Sequence, residues 1–115
     1  MKKYDLIFSN FAENDLYEII KYYLDINPKF ARELYFKIKI KINELVYYPL
    51  KGKIVPELEK QGIVQYRQLL EGNYRIIYKV TEKRIEVLII VDTRRDLENI
   101  LIVKLSEIND VKEKS

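Results

Sequence analysis

The sequence predicts a small α+β domain of order β-α-α-β-β-β-α, with a helical hairpin packed on a mostly antiparallel sheet. Three observations predict it. Residues 66–97 alternate apolar and polar side chains at the period of a sheet, in three short runs separated by two tight turns. Two stretches between Asn10 and Tyr47 repeat their apolar residues at helical spacing instead. All three glycines (Gly52, Gly62, Gly72) and all three prolines (Pro28, Pro49, Pro56) fall where one pattern gives way to another.

Each element has a local reason. Residues 3–8 read as a first strand. Asn10 with Glu13 three residues on forms a capping-box pattern, so a helix starts there and runs to about Ile26, burying Ala12, Leu16, Ile19, Ile20 and Tyr23. Asn27-Pro28 supplies the N-cap and first residue of a second helix. That helix extends to about Tyr47, with Ala31, Leu34, Ile38, Ile42 and Leu45 inward and Pro49 as its stop. Two amphipathic helices joined this tightly form an antiparallel hairpin, and a sheet is the surface their apolar faces need. A last helix over about 94–105 closes the domain, and the polar tail 107–115 is expected to fray.

Hairpin arithmetic assigns the sheet faces. With a two-residue turn at Glu71-Gly72, or equally at Gly72-Asn73, one face carries Val64, Tyr66, Gln68, Leu70, Arg75, Ile77 and Lys79. The other carries Arg67, Leu69, Tyr74, Ile76, Tyr78 and Val80 and is assigned to the helices. A second turn at Glu82-Lys83 sets Ile77 against Leu88 and places Asp92 diagonal to Arg75. The first face is then open, with Tyr66, Gln68, Arg75 and Asp92 on it and Arg94 at its rim. Arg67, on the helix side, is expected to meet Asp15 or Glu18 as a structural pair. Lys29, Arg32, Lys37, Lys39 and Lys41 form a basic helix surface, which a solvated face explains without a ligand. Of the ten tyrosines, Tyr22, Tyr23, Tyr35, Tyr47 and Tyr48 are expected on helices, where packing accounts for them.

Composition narrows the chemistry. The 115 residues hold one core, as a single domain over 1–115, and carry a mild net charge of +3. There is no cysteine and no histidine, which removes disulfides, the commonest metal ligands and the commonest general base. Neither a metal nor a cofactor is implied. The basic start meets acidic residues before any long apolar run, and no run reaches membrane-spanning length, so the expected location is the cytoplasm, with no membrane partner. An RNA-cleaving site would need positive charge beside the developing phosphorane plus an acid and a base. Arg75 and Arg94 could supply the charge and Tyr66, Asp92 or Glu57 the proton transfers. The alternative is structural: Arg75 pairs with Asp92, while Arg94 and Arg95 cap the sheet and contact a partner.

The motifs GKIVPEL (52–58), YRQL (66–69), YRIIY (74–78) and RRD (94–96), in this order and spacing, resemble the RelE/ParE superfamily of toxins from type II toxin–antitoxin systems, often described as plasmid stabilisation proteins. The resemblance spans residues 3 to about 105 and implies the same β-α-α-β-β-β-α order. RelE-like members cut mRNA on the translating ribosome, whereas ParE-like members poison DNA gyrase without cleaving nucleic acid. Arg75 matches the arginine that ribonuclease members set at the scissile phosphate, Arg94 a second functional arginine, and Glu57 a glutamate of some branches. Where RelE-like toxins carry two strand lysines this chain has Tyr66 and Gln68. Ile100 stands near their helical tyrosine, and Asp92 where other branches use a histidine. The wording around Pro56 and Tyr74 is closer to the ParE-like branch. The resemblance therefore implies a growth inhibitor acting on gyrase and neutralised by an antitoxin in a hetero-oligomer. A ribosome-dependent mRNA endonuclease and a non-toxic relative serving as a binding module are the alternatives. The partner is expected on the face bearing Arg75, Lys79, Arg94, Arg95, Ile77, Leu88 and Ile90, where apolar anchors ringed by basic residues suit an acidic antitoxin tail.

Overall fold

The structure is a computed structural model that describes residues 3–114. Its elements are β1 (Asp5–Phe8), α1 (Asn10–Ile26), α2 (Pro28–Glu44), β2 (Lys53–Ile54), α3 (Pro56–Glu59), β3 (Tyr66–Glu71), β4 (Tyr74–Val80), β5 (Arg84–Asp92) and α4 (Leu97–Lys114). The strands form one sheet in the order β1-β5-β4-β3-β2, antiparallel except for β1 beside β5. The expected order is present, with two insertions the pattern did not announce, the two-residue β2 and the single-turn α3. The last helix begins at Leu97 rather than 94 and continues to Lys114, so the stretch expected to fray is helical up to there; Ser115 lies outside the described residues.

The helical hairpin follows the sequence with two corrections, at the start of the first helix and the end of the second. Asn27 caps α2 by accepting the Phe30 N–H at 3.1 Å, and Pro28 leads the helix. The cap of α1 is Ser9, not Asn10. Its hydroxyl accepts the Ala12 N–H at 3.0 Å and donates to the Leu88 carbonyl at 2.6 Å. A hydroxyl can do both at once, so Ser9 ends the strand, starts the helix and ties both to β5. The second helix stops at Glu44 and gives way to a turn over residues 45–47, although Leu45 stays fully buried.

Both sheet faces are covered. Against the hairpin lie Leu69, Tyr74, Ile76, Tyr78, Ile85, Val87 and Ile90, packed with Ala12, Leu34, Ile38, Ile42 and Leu45. The opposite face buries Tyr66, Ile77, Leu88, Ile89 and Val91 beneath Val55 and Leu58 around α3 and Leu97 and Leu101 of α4. The face expected to be open is therefore closed, and this explains the nearly continuous apolar run 85–91, as a strand buried on both sides requires.

The first hairpin turns at Gly72-Asn73, with Glu71 opposite Tyr74 and Gly72 at φ 56°. A glycine in the first central position suits a type II′ turn, and the even loop length keeps every side chain on its assigned face. The second hairpin departs from its expected register. Lys79 does face Glu86, but the pairing shifts between Ile77 and Tyr78, which face Ile89 and Val87 and leave Leu88 as an extra residue. This bulge turns Leu88 and Ile89 to the same side and reverses the rest of β5. Ile90 and Asp92, expected beside Arg75, therefore lie on the hairpin face, with Asp92 opposite Tyr74.

The connection from α2 to β2 is held by Tyr78. Its buried hydroxyl accepts the Gly52 N–H at 2.9 Å and donates to the Pro49 carbonyl at 2.8 Å. Gly52 packs so closely that a β-carbon there would sit 2.4 Å from the Gln68 carbonyl oxygen and 2.8 Å from the Tyr78 hydroxyl. Gly52→Ala is expected to cost about 3 kcal/mol, because the loop must move off the sheet. Gly72→Asn, with no atom near the added carbon and a residue type that tolerates positive φ, should cost about 1 kcal/mol or less. Urea unfolding of the two variants measures the difference.

Candidate functional site

The charged residues singled out from sequence gather at two places. At the first, α3 brings Glu57 to Arg75. Buried Val55 and Leu58 flank Glu57, and the Val55 N–H donates to the Tyr66 carbonyl at 3.0 Å, so the turn is anchored on both sides of the glutamate. Arg75 Nη1 and Nη2 donate to the two Glu57 oxygens at 2.7 and 2.8 Å, and Nη2 also donates to Gln68 Oε1. Arg75 is only 8% exposed, and its buried Nε has no acceptor. The bond from Arg75 holds the Glu57 carboxyl below its ordinary range, against a smaller opposing effect of burial. Lys53, Lys60, Leu70 and Thr93 complete the walls of an open depression around the pair.

At the second place, Asp92 and Arg94 close on each other. The backbone N–H and Nε of Arg94 donate to Asp92 Oδ1 at 2.8 and 2.9 Å, and Nη2 donates to Oδ2 at 2.6 Å. The Arg94 side chain holds the Asp92 carboxyl down at about 2, and Arg94 is in turn held more firmly protonated. The expected Arg75–Asp92 pair does not form, because the bulge puts the two residues on opposite faces. Behind Asp92, the Tyr74 hydroxyl donates to that of Tyr23 at 3.3 Å, and burial followed by the Tyr23 contact raises the Tyr74 phenol above its ordinary value.

Other expected residues fall elsewhere. Tyr66 is 4% exposed and packs in the core beneath α4, away from solvent. Ile77, Leu88 and Ile90 are buried, because α4 covers the first two and the bulge turns the third to the hairpin. Lys79 is half-buried, whereas Arg94 and Arg95 are exposed. Arg67 finds neither Asp15 nor Glu18. It lies opposite Tyr78 at the far end of the sheet, and its Nη1 donates to the Gly52 carbonyl at 2.8 Å. Asp15 instead accepts the Ile90 N–H at 2.9 Å and meets Lys104 of α4 at 3.4 Å; burial raises its carboxyl above the ordinary value.

Sequence reasoning also missed a groove of about 450 Å³ on the hairpin side, lined by Phe8, Leu16, Tyr17, Ile20, Leu24 and Tyr35 together with the charged Glu13, Lys21 and Lys39. The signal was present in α1. Leu16, Ile20 and Leu24 recur every fourth residue with Tyr17 beside them, an apolar stripe wider than the sheet can cover. Tyr17 and Leu24 are 60% and 46% exposed.

A family model described as the ParE toxin of the type II toxin–antitoxin system parDE matches residues 6–97. Among solved structures, a chain of the chromosomal ParDE toxin–antitoxin system from P. aeruginosa is similar, with a TM-score of 0.62 at 21% identity, covering 80% of this chain and 98% of that one. A chain of the RelBE2 toxin–antitoxin complex from Mycobacterium tuberculosis gives a TM-score of 0.55 at 18% identity, covering 80% of this chain and 93% of that one. At these identities the structural likeness establishes the fold. No functionally curated protein matches the chain.

The arginine with a buried carboxylate partner is Arg75, and Arg67 bonds only a backbone carbonyl. Glu57→Ala strands a buried guanidinium and is expected to cost about 2 kcal/mol, while Arg67→Ala removes one bond to a carbonyl and costs about 1 kcal/mol. The Glu57 contribution has a definite pH sign. Its carboxyl is lowered in the folded state from 4.5, so the stabilisation is complete above that value and is lost as pH falls below it. Denaturation of wild type and Glu57→Ala between pH 7 and pH 3 should show the gap between them closing in acid.

Proposed function

The chain belongs to the ParE toxin family of type II toxin–antitoxin systems, and from that premise we propose that it inhibits growth by binding DNA gyrase in the cytoplasm and is silenced by a cognate antitoxin. The observation that carries the non-nucleolytic part is the state of the charged residues. Arg75 is engaged by Glu57 and Gln68, and Arg94 by Asp92. Both carboxyls are shifted down, away from the range in which a general acid or base works near neutral pH. Tyr66, the remaining proton-transfer candidate, is in the core. Ribosome-dependent mRNA cleavage would require these groups to be released from one another, so inhibition through protein–protein contact is the reading the geometry favours. Purified protein in molar excess is expected to block gyrase-catalysed supercoiling while leaving translated mRNA uncut in primer extension. Undiminished supercoiling, or discrete mRNA cuts, would overturn this reading.

The antitoxin is assigned to the hairpin groove rather than to the covered sheet face. An amphipathic segment with apolar anchors fits the walls formed by Leu16, Tyr17, Ile20, Leu24 and Tyr35, and acidic residues on it would meet Lys21 and Lys39. Such a complex should weaken with added salt but persist, since the apolar contacts are not screened. Tyr17→Asp and Leu24→Asp, at exposed positions, are expected to lower antitoxin affinity at least about tenfold, a loss of about 1.4 kcal/mol or more, with little change in melting temperature. Titration of the co-expressed partner against these variants measures it. Unchanged affinity would remove the groove from the interface.

A further inference from the structure

We propose that the outer face of α2 is a second docking surface, one that receives an acidic surface of the protein this toxin inhibits, with Phe36 and Ile40 as its apolar anchors. The proposal rests on the reading above that inhibition works through protein–protein contact with gyrase, and it names the surface that makes the contact. The helix turns Ala31, Leu34, Ile38 and Ile42 inward. On its opposite side Phe36, Ile40, Glu44 and Tyr48 recur at every fourth residue, so they stand in one row. The row outlasts the helix, because the Tyr48 N–H donates to the Glu44 carbonyl at 3.0 Å. Phe36, Ile40 and Tyr48 are 59%, 58% and 57% exposed. Leu50, at 63%, extends the row into a shallow depression walled by Glu44, Tyr48, Pro49 and Lys51. Single exposed apolar side chains are ordinary, but four that adjoin one another form a patch. The fold gains nothing from it. The patch lies outside both core clusters, and a β-branched isoleucine at an exposed helix position lowers helix propensity.

Charge selects the occupant. Helix α2 carries five cations (Lys29, Arg32, Lys37, Lys39 and Lys41) against two anions (Glu33 and Glu44), a surplus of three, and the whole chain has a net charge of +3. The rest of the molecule is therefore formally neutral, and the excess sits on this helix. Lys41 turns to β3, where it donates to the Leu70 carbonyl and pairs with Glu71, and Lys39 lies over the Phe8 ring at the hairpin groove. Lys29, Arg32 and Lys37 are exposed and, among the described residues, have no ion-pair partner. Arg32 stands one turn before Phe36, and Lys37 one turn before Ile40. A second copy of this chain is disfavoured, because α2 against α2 would set two positive surpluses face to face. A nucleic-acid backbone would satisfy the cations but leave Ile40 and Leu50 against polar groups. A bilayer would have to receive the Glu44–Lys51 ion pair, which stands within the row. An acidic protein surface with apolar pockets meets all of these features. The position also accounts for silencing. Tyr35 and Lys39 of the groove directly precede Phe36 and Ile40, and the Tyr35 and Phe36 rings meet edge to face at 5.6 Å. An antitoxin segment in the groove thus borders the outer face and excludes a bulky target from it.

The test titrates the full chain against purified gyrase, as wild type and as two double variants. Phe36→Gln with Ile40→Gln removes the anchors, and Arg32→Gln with Lys37→Gln removes the charge. Both place a good helix former at exposed positions, so both are expected to melt with the wild type. The anchor variant should bind gyrase at least about tenfold more weakly while keeping its antitoxin affinity. The charge variant should bind gyrase more weakly and with a shallower salt dependence. The preformed toxin–antitoxin complex should not bind gyrase. A wild type that does not bind gyrase overturns the gyrase reading and this proposal together. Wild-type binding that both folded variants retain overturns the docking face alone. So does an anchor variant that loses antitoxin affinity as much as gyrase affinity, or a wild type that binds duplex DNA or phosphatidylglycerol vesicles through these same residues.

Discussion

The single extra residue in β5 determines where the charges of this domain end up. Up to Phe8, the edge of β5 is paired with β1, whose last partner is Val87. Beyond that point the chain leaves the sheet to begin α1, and the β5 edge would be bare just where Leu88 bulges. The N-cap of α1 and one side chain within it take over from the missing strand: Ser9 donates to the Leu88 carbonyl and Asp15 accepts the Ile90 N–H. A bulge leaves backbone groups unpaired, and a buried unpaired group costs about as much as a lost hydrogen bond, so these two contacts are what make the irregularity tolerable. With the bulge fixed, Leu88 and Ile89 both turn toward α4, Ile90 joins the hairpin core, and Asp92 leaves the face that holds Arg75.

The two ion pairs follow from that reversal. Had β5 run without a bulge, Asp92 would lie near Arg75 and compete with Glu57 for it. Instead each arginine has its own carboxylate, one across a tertiary contact and one two residues away. The contrast matters energetically. Arg94 and Asp92 pair at the surface with an exposed guanidinium, an arrangement that orders a turn but adds little stability. Arg75 is buried and depends on Glu57 to offset the cost of its desolvation. The residues that could do chemistry are therefore occupied as structure, and any reading of the site must explain how they would be freed.

Most of the architecture was legible because it rests on local pattern. The apolar stripes of both helices, the Asn27-Pro28 restart and the alternation in β3 and β4 each have one consistent solution, and the even loop at Gly72-Asn73 preserves the faces even though it begins one residue later than the simplest choice. What stayed hidden depends on contacts far apart in sequence. The bulge at Leu88 is set by Ser9 and Asp15, more than seventy residues earlier, and nothing in the local run 85–91 marks one residue as extra. The short α3 is too brief to show a period, so Glu57 could be matched to a family position but not placed against Arg75. Arg67 was assigned to the correct face, yet along the strand it lies at the Gly52 end, out of reach of α1.

The groove and the Arg75–Glu57 pair lie on opposite sides of the sheet and are joined by a chain of side-chain contacts. Helix α1 begins that chain. One side of it carries Leu16, Tyr17, Ile20 and Leu24 into the groove. One residue before the first of these, Asp15 reaches the other way, to the β5 backbone and to Lys104 of α4. Lys104 lies also within 5.5 Å of the Phe11 ring, so the middle of α4 is tied to the start of α1 by two contacts of one side chain. From α4 the path continues through Glu98 and Gln61 to the turn that holds Glu57. Each link is a named contact between packed elements, and at the Asp15–Lys104 pair burial of the carboxylate works against its charge. These contacts join α1 to α4 and to the turn of α3, although the groove and the Arg75 depression share no residue.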